Sequence, residues 1–166
     1  LDLDTLVPVV LETAMTSVGA EAGLVMLGDE HGGLTLHAEH GMRTRSLAVP
    51  SAVVVGQGLL GAVAASGLTV RGQLGSTPEL RPAANEPQSG DVLAVALRRP
   101  PHVFGVIALF APSNPSGFDE AAESALQALA GPASIAVENV LLHAEATRAS
   151  TQAELTRHVP SRLISS

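Results

Sequence analysis

A chain of 166 residues, 46% hydrophobic and with a net charge of −7, has the length of one domain and is apolar enough to bury a core without disulfides or metals. It contains no cysteine, and its nine basic residues are all arginine. This excludes disulfide frameworks, thiolate metal sites, cysteine nucleophiles, Schiff-base chemistry and a Walker-type phosphate lysine. The acidic balance, with Phe104, Phe110 and Phe118 as the only aromatics, argues against a nucleic-acid partner, which needs a basic face and stacking platforms.

Leu3, Leu6, Val7, Val10, Leu11, Ala14, Met15 and Val18 recur at spacings of three and four, the mark of one apolar helix face. Pro8 predicts a start near Val7 or a bend there, and Gly19 ends the helix. Residues 23–27 read as a buried strand, 28–33 as a turn, and 34–40 as a half-exposed strand paired with the first. Residues 51–55 predict a short strand, 58–66 a small-residue helix stopped by Gly67, and 68–71 a brief extended piece. The stretch 72–90, with Pro78, Pro82 and Pro87, is long and irregular, as functional or mobile segments often are. Residues 92–97 and 103–110 predict a hairpin joined by 98–102.

A last helix starts behind Asp119, a good N-cap, and carries Leu126, Leu129, Ala133, Ala136, Val137, Val140, Leu141 and Ala144 as one stripe. Pro132 is expected to kink it. Helical patterning runs to Arg157, a length of about 60 Å, more than a domain of this size is wide. Part of this helix is therefore expected to leave the domain or to pack on another chain. No uninterrupted run of about 18 apolar residues and no signal peptide is visible. The chain begins with Leu1 and is read as a segment of a longer, cytoplasmic protein. Strands in hairpins between terminal helices argue an α+β fold on an antiparallel sheet.

The stretch Gly56-Gln57-Gly58-Leu59-Leu60-Gly61 satisfies G-x-G-x-x-G, the dinucleotide-binding pattern. That pattern also needs a parallel second strand ending in Asp or Glu about 20 residues on. Here the following piece is short and ends in Arg71-Gly72-Gln73, and Glu79 lies in a proline-bounded loop. An NAD-binding enzyme is thus the weaker reading of these glycines. A tight turn feeding a close-packed helix is the stronger one, with Gln57 beside amides open to an anionic ligand.

Residues 56–67, GQGLLGAVAASG, resemble the "G-x-G-hydrophobic-x-G-x-V-A-x-[ST]-G" segment of GAF domains. The hairpin VLAVAL and VFGVIAL resembles that family's "LAVPL … GVLxL", and Phe118 through Asn139 resembles its closing "LAxQxAxAIEN" helix. The resemblance covers residues 3–145. It implies a central antiparallel sheet of five or six strands, with the N- and C-terminal helices on one face and a loop and short-helix pocket region on the other. Family members are usually sensory modules of bacterial signalling proteins, often dimeric through the terminal helices. Without lysine the chain departs from the N-K-x-F-x-D-E pattern of cyclic-nucleotide binders. Without cysteine it departs from covalent bilin carriers and from the free methionine sulfoxide reductases.

No catalytic constellation emerges. His37 and His40 fall on opposite faces of a strand, a poor metal pair, and the other histidines, His31, His102, His143 and His158, read as solvated. Neither a metal nor a cofactor is expected. Glu86 and Asp91 are a conceivable carboxylate pair with no nucleophile beside them. Arg71, Arg98 and Arg99 suit an anion or a plain surface. The candidate ligand contacts are Gln57, Gly58, Leu60, Arg71 and Leu80.

The expected organisation is a sensor domain over 1–145 and an exit helix or linker over 146–166 toward an effector domain. In it, 155–164 reads as a frayed end or, like Pro-containing segments before nucleotidyl cyclase domains, as the start of an effector connection. The expected function is small-molecule sensing. A ligand would order 72–90 and bias a partner domain through the long helix. The alternative is a ligand-free dimerisation and coupling module.

Overall fold

The computed structural model describes residues 2–29 and 31–165, with side chains described through residue 153. Helix α1, Leu3–Val18, starts ahead of Pro8 and carries it inside. Asp2 supplies the cap, its Oδ1 accepting from the Thr5 amide at 2.8 Å. Pro8 is exposed. The carbonyl it leaves without a helical donor belongs to Asp4, which is exposed to solvent. Gly19, at φ 86°, closes the helix as expected.

Six strands follow: β1 (Ala20–Gly28), β2 (Gly33–His40), β3 (Ala52–Val54), β4 (Val70–Gln73), β5 (Asp91–Arg99) and β6 (His102–Pro112). They form one antiparallel sheet in the order β3-β2-β1-β6-β5-β4. Strands β1, β5 and β6 run longer than their apolar cores suggested, because ladder pairing continues through flanking polar residues such as Arg98–Val103 and Arg99–His102. In the β1–β2 turn, Asp29 Oδ1 accepts from the amides of Gly33 at 2.9 Å and His31 at 2.7 Å. These bonds hold its carboxyl below the ordinary 3.8.

Alternation along the strands sorts the core into two layers. One face presents Val25, Leu27, Leu93, Val95, Leu97, Ile107 and Leu109 to Val7, Leu11 and Ala14 of α1 and to Leu126 and Val137 of the C-terminal helix. The other presents Ala22, Leu24, Met26, Val92, Ala94, Ala96, Val106, Ala108 and Phe110 to Leu59, Leu60 and Val63 of helix α2 (Gly58–Ser66), with Met42, Leu74 and Leu80.

Helix α3 spans Glu120–Ser165, about 70 Å of helix. Asp119 Oδ1 accepts from the Ala122 amide at 2.8 Å, the N-cap expected from sequence. The helix continues through Pro132, which lies on its exposed side and forgoes the bond to the Ala128 carbonyl. The side chains of 155–164 lie outside the described residues. By length and composition Glu120–Ala153 is apolar enough to cross a membrane, with a mean hydropathy of 1.3 over its best 18 residues. Part of that apolarity is already used, since Ala122, Leu126, Ala133 and Val137 are buried on the sheet.

Candidate functional site

Strands β3 and β4 occupy opposite edges of the sheet, so α2 carries the chain across its second face. The glycines make that crossing possible. A Cβ at Gly61 would collide with the Val54 carbonyl, so the helix can press on the end of β3 only with glycine there. Gly58 has φ of 69°, and a Cβ there would collide with the Glu86 carboxylate and lie 2.7 Å from Ala83 Cβ. Small side chains beneath, Ala94, Ala96 and Ala108, let α2 lie close to the strands.

Gln57, at the N-cap position, gives α2 no side-chain cap. The acceptor comes instead from far along the chain. Glu86, 1% exposed, accepts from the Leu59 amide at 2.9 Å through Oε1 and from the Leu60 amide at 3.0 Å through Oε2. Its Oε1 also accepts from the Ala83 amide at 2.6 Å. The amides that sequence reading left open for a ligand anion are thus occupied by the protein's own carboxylate, in the position favoured by the helix dipole. Gln88 Nε2 donates to the Ala83 and Glu86 carbonyls, both at 2.7 Å, and Asn85 Nδ2 to the Ala52 carbonyl at 3.2 Å. The irregular stretch is therefore fastened to α2 and β3. Glu86 works as a cap, not as half of a carboxylate pair with Asp91. The one sequence signal for it was a helix start lacking a capping side chain.

The five candidate contacts separate. Gln57 is exposed, Gly58 abuts Glu86, and Leu60 is fully buried in the second core layer. Arg71 donates through Nε to Glu123 Oε1 at 2.8 Å and through Nη1 to the Phe118 carbonyl at 3.0 Å. Arg71 and Leu80 meet in one groove of about 430 Å³, with Ala62, Leu68 and Val70. Beside it, Arg98 Nη2 donates to the carbonyl of Gly67, which caps α2, at 2.9 Å, while its backbone amide donates to buried Ser134 Oγ on α3 at 3.0 Å. Gln127 to Thr69 at 3.1 Å and Arg99 to Glu138 at 3.4 Å add two more ties between the sheet side and α3. His31, His37, His40, His102 and His143 are exposed, and no group able to hold a metal ion occurs among the described residues.

The dinucleotide reading of the glycines is overturned by topology. That mode needs two adjacent parallel strands joined by the helix, whereas β3 and β4 sit at opposite edges of an antiparallel sheet. The sequence model of one family, described as GAF domain, matches residues 1–138. No curated protein matches the chain. Among solved structures, the GAF-B domain of DevS from Mycobacterium smegmatis is 23% identical, covers 89% of this chain and 98% of its own, and superposes with a TM-score of 0.64. The GAF domain/HD domain protein from Geobacter sulfurreducens is 19% identical over 85% of this chain and 95% of its own, at a TM-score of 0.71. The free methionine-R-sulfoxide reductase from Neisseria meningitidis, solved with its substrate, is 22% identical over 86% and 81%, at a TM-score of 0.69. These similarities establish a shared fold.

Proposed function

The chain belongs to the GAF domain family, and from that premise we propose that it is a regulatory coupling module in the cytoplasmic part of a bacterial signalling protein. It pairs with a second copy through its terminal helices and passes a packing change along α3 to an effector domain. The observation that carries this reading is the closed second face of the sheet. Leu59, Leu60, Val63, Leu74 and Leu80 fill it, and Glu86 takes the amides at the start of α2. Arg98 supplies a route, since one residue touches both the end of α2 and the side of α3. The chain has no cysteine, so thiol-based redox chemistry is out of its reach.

Native mass spectrometry of the purified chain tests this. The expected species is a dimer of the bare polypeptide. A stoichiometric non-covalent adduct overturns the ligand-free part, and a monomer at every concentration overturns the pairing.

A second reading, small-molecule sensing, is favoured by the groove that brings Arg71 and Leu80 together with apolar Ala62, Leu68 and Val70. In that case Arg71 exchanges Glu123 for an anionic group of an amphipathic ligand, and Gln57, Gly58 and Leu60 respond through α2. An adduct lost in Arg71→Ala would select this reading.

A further inference from the structure

Strand β4 covers the outer edge of β5 only as far as Ala94, which pairs with Val70. Beyond that point the edge of β5, residues 67–69 and the flank of α3 enclose a groove of about 490 Å³, the size of a small-molecule site. It opens on the α3 side of the edge and shares no lining residue with the closed layer of Leu59, Leu60 and Val63 under α2. Val95, Ala130, Pro100 and Ile135 are its apolar walls. Ile135 is 66% exposed, an aliphatic that its own domain leaves uncovered. A Cβ at Gly131 would meet nothing within 4 Å from outside its own stretch of helix, so the groove reaches the backbone of α3.

The polar groups of this groove are left unspent by the fold. Along the same edge Arg71 pairs with Glu123 and Arg99 with Glu138. Arg98 has no carboxylate partner among the described residues, and its guanidinium fork spends one donor, at Nη2, on the Gly67 carbonyl. Ser134, 5% exposed, accepts from the Arg98 amide at 3.0 Å. A helical hydroxyl ordinarily donates to the carbonyl four residues back, as Thr13, Thr147 and Thr151 do. The Ser134 proton has no acceptor among the described residues, so a buried donor faces the groove that it lines.

We propose that this groove binds a small amphipathic carboxylate. Its carboxylate is held by the Arg98 guanidinium and the Ser134 hydroxyl, and its apolar body lies against Val95, Ala130 and Ile135. One arginine and one neutral hydroxyl balance a single negative charge. A carboxylate carries that charge at neutral pH, and a phosphate monoester exceeds it. The site stands apart from the coupling role of the preceding section. Its occupant exchanges with solvent through an open groove and is lost on purification, so a bare polypeptide in mass spectrometry is consistent with it.

Amide NMR of the full chain, titrated with hexanoate at neutral pH, tests the site. Thr69, Arg98, Gly131 and Ser134 are expected to shift saturably while Leu59 and Leu60 stay fixed. Hexanol, with the same apolar body and no charge, is expected to bind about tenfold more weakly, the loss of one charge-assisted contact. Arg98→Gln should weaken hexanoate about tenfold and leave hexanol unchanged. Arg99→Gln, whose side chain pairs with Glu138 and does not line the groove, should bind both as the wild type does. Equal affinity of the wild-type chain for hexanoate and hexanol overturns the carboxylate contact, whatever the variants do. Shifts centred on Leu59 and Leu60 move the ligand beneath α2 and overturn the site, as does the absence of any saturable shift with hexanoate. Tighter binding of hexyl phosphate than of hexanoate overturns the assignment to a single negative charge.

Discussion

The two faces of the sheet are packed by different means. Toward α1 and α3 the strands present large aliphatics, Leu93, Leu97, Ile107 and Leu109, and burial of side-chain volume does the holding. Toward α2 the same strands present Ala94, Ala96 and Ala108, and the helix is brought down by glycine clearance at Gly61 and by one buried carboxylate, Glu86. Volume holds the first face and a polar tie completes the second. The second face is therefore the one a single substitution can open.

The contrast is sharpest when volume is removed from one face and added to the other. Leu109→Ala, at a fully buried position against Gly23 and Leu11, is expected to lower stability by about 2–5 kcal/mol in urea unfolding. Its neighbour Ala108→Leu points under α2 and is expected to cost about 1–3 kcal/mol through overpacking. A neutral Ala108→Leu would mean that space remains beneath α2, and the closed-face reading would fail.

Next in size is the tie itself. Glu86→Ala leaves the amides of Leu59, Leu60 and Ala83 without their acceptor, for an expected loss of about 2 kcal/mol. Hydrogen exchange at Leu59 and Leu60 should accelerate while α1 is unchanged. Glu86→Gln keeps an acceptor oxygen and should lose less. Equal exchange in wild type and Glu86→Ala would remove the carboxylate from the account.

The smallest effect belongs to the β1–β2 turn, on neither face. Amides of Gly33 and His31 bond the ionised Asp29, so its folded pKa lies below the unfolded 3.8. The associated stability is present above 3.8 and is lost as the pH falls through the lower folded value. An NMR titration should place the Asp29 midpoint below 3.8, and a midpoint at or above it would contradict the turn geometry.

Much of this was legible in the residues. The three-and-four spacing of α1, the limits of α2 between Gly58 and Gly67, the β5–β6 hairpin and the cap at Asp119 all depend on neighbours a few positions away, and local chemistry decides them. Of the two readings of Pro8, the helix start near Val7 is corrected, since α1 begins at Leu3; the cost of an internal proline depends on exposure, which a sequence does not display. Among the candidate contacts, Leu60 lies in the second core layer, and Leu80 belongs to that layer while also lining the groove beside Arg71.

The sequence by itself determined the α+β class, the element order and the family likeness, since periodicity and turn residues act over short range. Only the tertiary structure decided that the glycines of GQGLLG serve an antiparallel sheet, because strand order is set by pairings between distant segments. Only it decided that Glu86, 27 residues from Leu59, would satisfy the start of α2. An uncapped helix end demands an acceptor, and only the folded chain chooses which distant group supplies it.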